Sequence, residues 1–191
     1  LCTMSYVQPV SDYLTGLVRV LENLDREQIS NFCGLLDAAR AEGRQIFIFG
    51  NGGSGANASH ITGDLVKGAS YKREQRFKMM CLNDNDAAVL AYANDVGYDD
   101  VFVEQLKNFL NPGDVVIGIS GSGNSENILR AMAYANDKGA ETVGFCGYPG
   151  GKLESVTKHV VHANIRDMQW AEDVHLIVGH IAMKCLGGAC Y

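Results

Sequence analysis

QIFIFGNGGSG, residues 45–55, is the stretch that decides the fold, because a short apolar strand runs directly into a turn of asparagine, glycine and serine. DVVIGISGSGNS, residues 114–125, repeats this order with a different turn. A helix that begins just after such a turn presents unpaired backbone N–H groups and the positive end of its dipole, and glycines let an anion approach closely. The pattern therefore predicts two anion-binding turns, with a phosphate group as the expected ligand.

The second turn is rich in hydroxyl groups, from Ser120, Ser122 and Ser125. Hydroxyls donate hydrogen bonds without adding charge, so a phosphate here would be held by dipoles rather than by lysine or arginine. Serine and asparagine also favour helix caps, and a purely structural turn is the competing interpretation. The presence of two such turns in one chain favours the binding interpretation.

Apolar residues along the rest of the chain alternate between strand and helix periodicity. The predicted strands are 45–50, 77–82, 114–120, 141–147 and 159–163, and the predicted helices among them are 54–67, 85–93, 101–110, 125–138 and 170–186. Two helices precede the first strand, one with its apolar face from Tyr13 to Leu21 and one capped by Asp25. Continuous apolar strands separated by helices indicate an α/β fold with a mainly parallel sheet, which binds ligands at the carboxyl ends of its strands.

Composition narrows the class of protein. A chain of 191 residues, 47% hydrophobic and 20% charged, fits one domain, with leading helices in 1–43 and a sheet core in 44–191. The net charge of −6 argues against nucleic-acid binding, which depends on clustered lysine and arginine. Six cysteines without a C-x-x-C pair favour buried thiols and a reducing cytoplasm. No apolar run approaches the roughly 20 residues of a membrane helix, so we expect no membrane partner.

The first turn also matches the dinucleotide-binding motif G-x-G-x-x-G, through Gly50, Gly52 and Gly55. That motif needs an acidic residue about 20 positions further on, at the end of the next strand. Asp84 is in such a place but stands 29 residues beyond Gly55. The serine-rich turn has no role in that interpretation, so we expect no nucleotide cofactor.

Several motifs together resemble one family. Asn51-Gly52-Gly53-Ser54 before an Ala-x-x-His helix, the pair Asn94-Asp95, the turn 120–125 and a late helix with His175 and His180 are similar to phosphoheptose isomerases of the sugar isomerase (SIS) domain superfamily. The resemblance spans nearly the whole chain, including the two leading helices. It implies a flavodoxin-like three-layer α/β/α sandwich, a homotetramer with sites between subunits, and aldose–ketose isomerisation of sedoheptulose 7-phosphate through an enediol.

The resemblance also implies roles for individual residues. The sugar-phosphate ligands it implies are Asn51, Gly52, Gly53, Ser54, Asn94, Asp95, Ser120, Gly121, Ser122, Ser125 and Glu172. The metal and acid/base positions it implies are His60, Asp64, Glu172 and His180, where Asp64 replaces a glutamate and Glu172 replaces a glutamine of the family. Two imidazoles and two carboxylates suit zinc or another first-row divalent ion. We expect Asp64 or Glu172 to be the catalytic base and His180 the acid.

The spacing on the last helix bears on assembly. Glu172 and His180 are eight residues apart, about 12 Å along a helix, so one metal would meet both only if both side chains stretched towards each other. The same helix of a neighbouring subunit would complete the site more easily, which predicts a homo-oligomer.

A competing hypothesis is a non-catalytic regulator. SIS proteins that resemble this chain include a tetrameric replication-initiation factor that binds the initiator protein, and others could sense a sugar phosphate. The imidazole and carboxylate set favours an enzyme, because a scaffold has no need of it.

Overall fold

The structure, a computed structural model, describes residues 5–188. Its strands are β1 (Gln45–Gly50), β2 (Lys78–Cys81), β3 (Val115–Ser120), β4 (Glu141–Cys146) and β5 (His159–His162). Its α-helices are α1 (Val7–Glu22), α2 (Arg26–Ala41), α3 (Gly52–Gly63), α4 (Asp86–Asp95), α5 (Val101–Phe109), α6 (Glu126–Asp137), α7 (Gly151–Val156) and α8 (Met168–Gly187). A π-helical segment, Asp64–Gly68, continues α3, and a 3₁₀ turn, Tyr98–Asp100, precedes α5.

The five strands form one parallel sheet in the order β2-β1-β3-β4-β5. After β1 the chain forms β2 on one side of β1, and it then crosses over to form β3 on the other side of β1. In sheets of this kind, ligands bind outside the carboxyl ends of the strands where the order reverses. The glycine and serine turns follow β1 and β3, so both lie at this point, as the sequence predicts.

Side chains of β1 point alternately to the two faces of the sheet, and each face carries its own hydrophobic core. Ile46 and Ile48 belong to a core with α2, α3 and α8, whereas Phe47 and Phe49 belong to a second core with α5 and α6. Successive side chains of a strand point to opposite faces of the sheet, so helices must cover both faces. The predicted three-layer α/β/α sandwich is confirmed.

Helix α1 has no buried residue. Leu17, Val20 and Leu21 pack against the core only partly, while Val10 and Leu14 are 56% and 58% exposed. We call the outward-facing apolar residues of this helix, Val7, Val10, Leu14 and Val18, the α1 apolar face.

The starts of two helices differ from the sequence prediction, and one helix was not predicted. Helix α3 begins at Gly52, which has a φ of +53°, and the last helix begins at Met168 because Asp167 caps it by accepting a hydrogen bond from the N–H of Trp170. Helix α7 was not predicted, since it has only six residues and its first residue, Gly151, and the preceding Gly150 both have positive φ.

Cysteine burial partly follows the expectation. Cys81 and Cys146 are buried, Cys33 is half-buried and Cys185 is exposed, while Cys2 and Cys190 lie outside the described residues. Helices within residues 5–188 are all too short or too polar to cross a bilayer.

Candidate active site

Both turns line one cavity of about 280 Å³ at the carboxyl edge of the sheet. Its walls are Asn51, Gly52, Gly53, Ser54, Ile119, Ser120, Gly121, Ser122, Ser125, Met168 and Glu172. The structure therefore brings together every predicted sugar-phosphate residue except Asn94 and Asp95.

The hydroxyls of the serine turn converge. The Oγ atom of Ser120 lies 3.4 Å from that of Ser122 and 3.1 Å from that of Ser125. Backbone N–H groups of the turn donate to two of these hydroxyls, at 3.2 Å from Gly123 to Ser120 and 3.2 Å from Asn124 to Ser122. Ser125 is also the residue from which α6 begins. An uncharged cluster of donors therefore stands at a helix start, which is the arrangement that binds a phosphate through dipoles.

A ring of side-chain amides connects the two turns. Asn51 and Asn127 each donate an amide hydrogen to the other's Oδ1, both at 2.9 Å, and the Tyr98 hydroxyl donates to Asn51 Oδ1 at 2.7 Å. Asn127 is 2% exposed and lies in the first turn of α6. Asn51 is thereby held in place before any ligand arrives. Sequence reasoning missed Asn127 and Tyr98; the available signal was an asparagine on the apolar face of a predicted helix.

Asn83 fixes the end of β1 in a similar way. Its Nδ2 donates to the carbonyl of Gly50 at 2.8 Å, and its Oδ1 accepts from the N–H of the same glycine at 3.2 Å. A Cβ atom at Gly55 would lie 2.9 Å from Asn83 Nδ2, so the turn has no room for a side chain there. The sequence analysis did not predict the role of Asn83, because Asn83 follows β2 whereas its partner Gly50 ends β1.

Helix α8 supplies one wall of the cavity through Met168 and Glu172, one turn apart. A Cβ atom at Gly121 would lie 2.5 Å from Met168 Sδ, and one at Gly53 would lie 2.5 Å from both carboxylate oxygens of Glu172. These two glycines, one from each turn, are needed for α8 to sit so close. Within residues 5–188 the Glu172 carboxylate has neither a hydrogen-bond donor nor an ion-pair partner.

A second constellation lies further along the same helices. The Nε2 atoms of His60 and His180 are 3.0 Å apart, and Asp64 Oδ2 lies 3.3 Å from the first and 3.5 Å from the second. His60 comes from α3, Asp64 from the first residue of the π-helical segment, and His180 from α8. Both imidazoles are half exposed. Glu172 is not part of this cluster.

These three side chains fit a divalent metal ion. Their nitrogen and oxygen atoms lie within 4.8 Å of one another. Two imidazole nitrogens and one carboxylate oxygen form a donor set that zinc accepts, and the exposure of the rings leaves a coordination position for a further ligand.

The remaining predicted residues have other surroundings. Asn94 and Asp95 end α4, are exposed, and bind each other through a 2.7 Å hydrogen bond from Asn94 Nδ2 to Asp95 Oδ1. His175, on the late helix, is fully buried and lies 3.0 Å from the carbonyl oxygen of Cys146 through Nε2. Burial lowers the pKa of His175 to about 4. Its imidazole is therefore neutral at physiological pH.

The parallel sheet, with a glycine-rich and a serine-rich turn at the point where the strand order reverses, is typical of one class of domain. The SIS domain family model matches residues 11–147. The chain belongs to the SIS domain family. Within it, the chain is similar to phosphoheptose isomerases, at 35% identity over 156 residues to that of Aquifex aeolicus strain VF5, with 81% of each chain covered. To that of Geobacter metallireducens it is 36% identical over 166 residues, covering 85% of this chain and 87% of the other.

The shape comparison agrees. The structure of a phosphoheptose isomerase from Neisseria gonorrhoeae superposes with a TM-score of 0.87 at 24% identity, covering 95% of this chain and 98% of that chain. The family resemblance predicted from the motifs is confirmed.

Proposed function

We propose that this protein is a phosphoheptose isomerase that interconverts sedoheptulose 7-phosphate and D-glycero-D-manno-heptose 7-phosphate. The observation that carries the proposal is the shared cavity, in which the serine turn faces a carboxylate, that of Glu172. A phosphate on the turn would anchor the sugar, and this remote binding energy would fix its reacting end. The similarity to phosphoheptose isomerases supports the substrate class.

The reaction needs a base and an acid. Hydrogens next to the carbonyl of a ketose are acidic; a carboxylate removes one, an enediol forms, and a proton returns to the neighbouring carbon. Asp64 and Glu172 are the candidate bases, and His180 is the candidate acid.

We also propose that the protein binds a divalent metal ion, with zinc as the first candidate. His60, Asp64 and His180 would hold it, and when bound it supplies a Lewis acid that polarises carbonyl or hydroxyl oxygens. Glu172, predicted as a fourth ligand, would have to come from a neighbouring subunit, because its own chain holds it against Gly53.

The proposed assembly is a homotetramer of single SIS domains, with the leading helices in 1–43 taking part in packing. The α1 apolar face supports this, because a second copy of the chain would remove it from water. Asn94 and Asp95, which are exposed in one chain, would then have a neighbour to face. The proposed location is the cytoplasm, on the grounds of cysteine usage.

Proton exchange in D2O tests the function. The protein is incubated with ketose phosphates of five to eight carbons, and NMR follows deuterium at C2 of the aldose and at C1 of recovered ketose. We expect exchange above the buffer rate with the seven-carbon substrate. Tight sugar-phosphate binding without exchange for any of them would instead support the regulator hypothesis.

A further inference from the structure

Two cysteines from distant parts of the chain lie beside one surface cavity. Cys33 is in the middle of α2 and Cys185 is near the end of α8, and these two helices pack against each other. The cavity has a volume of about 400 Å³ and is lined by Arg26, Ile29, Ser30, Cys33, Ile181 and Cys185. Neither cysteine lines the cavity of the serine turn, so the thiols are separate from the candidate active site.

The two thiols interact with each other. Burial is the first cause that raises the pKa of the Cys33 thiol to about 11, and Cys185 raises it further through its charge and a hydrogen bond. Both cysteines are free thiols in this structure. A disulfide requires two side chains that face each other at short range, and the contact between α2 and α8 meets this requirement.

Exposure distinguishes the two thiols. Cys185 is exposed whereas Cys33 is half-buried, so an oxidant in solution meets Cys185 first. The raised pKa keeps Cys33 protonated at neutral pH, which is typical of a thiol that reacts second, with a neighbouring oxidised sulfur. Cys81 and Cys146 differ from both because they are buried, and burial raises the pKa of each to about 12. These two thiols are therefore inert.

We propose that Cys33 and Cys185 form a redox-sensitive pair that closes to a disulfide when the protein meets hydrogen peroxide, and that the bond holds the end of α8 against α2. The sulfur of Cys185 attacks one oxygen of the peroxide and the O–O bond breaks, which gives the sulfenic acid of Cys185 and one water. The sulfur of Cys33 then attacks the sulfur of Cys185. The S–S bond forms, the S–O bond breaks, and the departing hydroxide takes the Cys33 proton and leaves as water. Two thiols are oxidised and the peroxide is reduced to two waters.

The position of the bond gives it a mechanical effect. It would join position 33 to position 185, a span that covers most of the chain. A cross-link over a long span restricts the unfolded chain strongly and so stabilises the fold. His180 precedes Cys185 by five residues, about 7.5 Å along the same helix, so the bond would also fix α8 close to the imidazole cluster.

Peptide mapping tests the pair. The full chain carries Cys2→Ser and Cys190→Ser, which removes the two cysteines that lie outside the described residues, and it is treated with stoichiometric hydrogen peroxide. Free thiols are alkylated, and trypsin then releases Cys33 in 27–40 and Cys185 in 185–191. Mass spectrometry should find these two peptides joined, and dithiothreitol should separate them. The oxidised protein should migrate as a monomer in a non-reducing denaturing gel.

Cys33→Ser in the same background is the matched control. Its Cys185 has no second thiol, so dimedone should trap the sulfenic acid there and no joined peptide should form. Cys185→Ser, at an exposed position, should abolish both products. The midpoint of thermal unfolding should rise by about 5 to 10 °C on oxidation of the parent protein and of neither variant.

Three results would overturn the proposal. The first is a dimedone adduct on Cys185 in Cys33→Ser without any joined peptide in the parent protein. The second is a joined peptide that appears only in a dimer band, because the bond then links two subunits. The third is a joined peptide in the monomer with an unchanged unfolding midpoint, because the bond then does not hold α8 in place. None of these results depends on whether the protein isomerises a sugar phosphate.

Discussion

His175 makes a quantitative prediction about acid stability. The carbonyl oxygen of Cys146 can only accept, so Nε2 of His175 carries the hydrogen. Nδ1 is buried without a hydrogen-bond partner among residues 5–188 and carries none. Burial is the main cause that lowers the pKa of His175, from 6.5 to about 4. The unfolded chain therefore binds a proton between these two pH values that the folded chain does not. The contribution of His175 to the free energy of unfolding is therefore fully present above pH 6.5 and is lost as the pH falls towards 4.

The size of the effect follows from the difference in pKa. One pKa unit corresponds to about 1.4 kcal/mol, so the difference between the unfolded and the folded pKa corresponds to about 3 kcal/mol of unfolding free energy. About 2 kcal/mol of this is lost by pH 5. His175→Gln keeps a donor for the Cys146 carbonyl but does not titrate. Urea unfolding, followed by circular dichroism at one protein concentration, gives the free energy of unfolding of each protein from pH 8 to pH 5. Between these pH values, wild type should lose about 2 kcal/mol more of this free energy than the variant. Parallel losses in the two proteins would refute the reasoning.

Two further predictions concern the ligands. Ser122→Ala should weaken binding of inorganic phosphate or a sugar phosphate by about 1.5 to 3 kcal/mol, the range for one hydrogen bond to a charged group, in calorimetric titration. Ser155→Ala, an exposed serine on α7, is its control, and equal affinities for wild type and Ser122→Ala would remove the serine turn from the site. His60→Ala should lose the divalent ion that wild type carries after zinc is supplied, as measured by elemental analysis. His159→Ala, whose ring binds Glu141 away from the cluster, should keep it, and equal metal content in all three proteins would contradict the metal proposal.

The sequence predicted those features that depend on local order. A strand that ends in glycine and serine before a helix has few alternative folds, so β1, β3 and their turns were placed correctly. The separation of Glu172 from His180 also followed from helical rise alone. The cluster of His60, Asp64 and His180 needed the family resemblance, because two helices had to be brought together.

Contacts between distant segments could not be predicted. Asn127 binds Asn51, and Asn83 binds Gly50, but nothing local shows which loops meet at the edge of the sheet. Met168 contacts Gly121 only because helix α8 packs against the cavity in one particular position along its axis. Such positions depend on the packing of whole helices, which periodicity does not describe.

The position of α8 has a thermodynamic consequence. Helix α8 carries a wall of the cavity at its start, through Met168 and Glu172, and the His180 imidazole of the proposed metal site near its middle. If an anion in the cavity shifts the preferred position of this helix, it changes the affinity of the cluster for its ion. Linkage then requires the ion to change the affinity of the cavity for the anion by the same factor. Binding of phosphate and binding of metal should therefore be measured together, each as a function of the other.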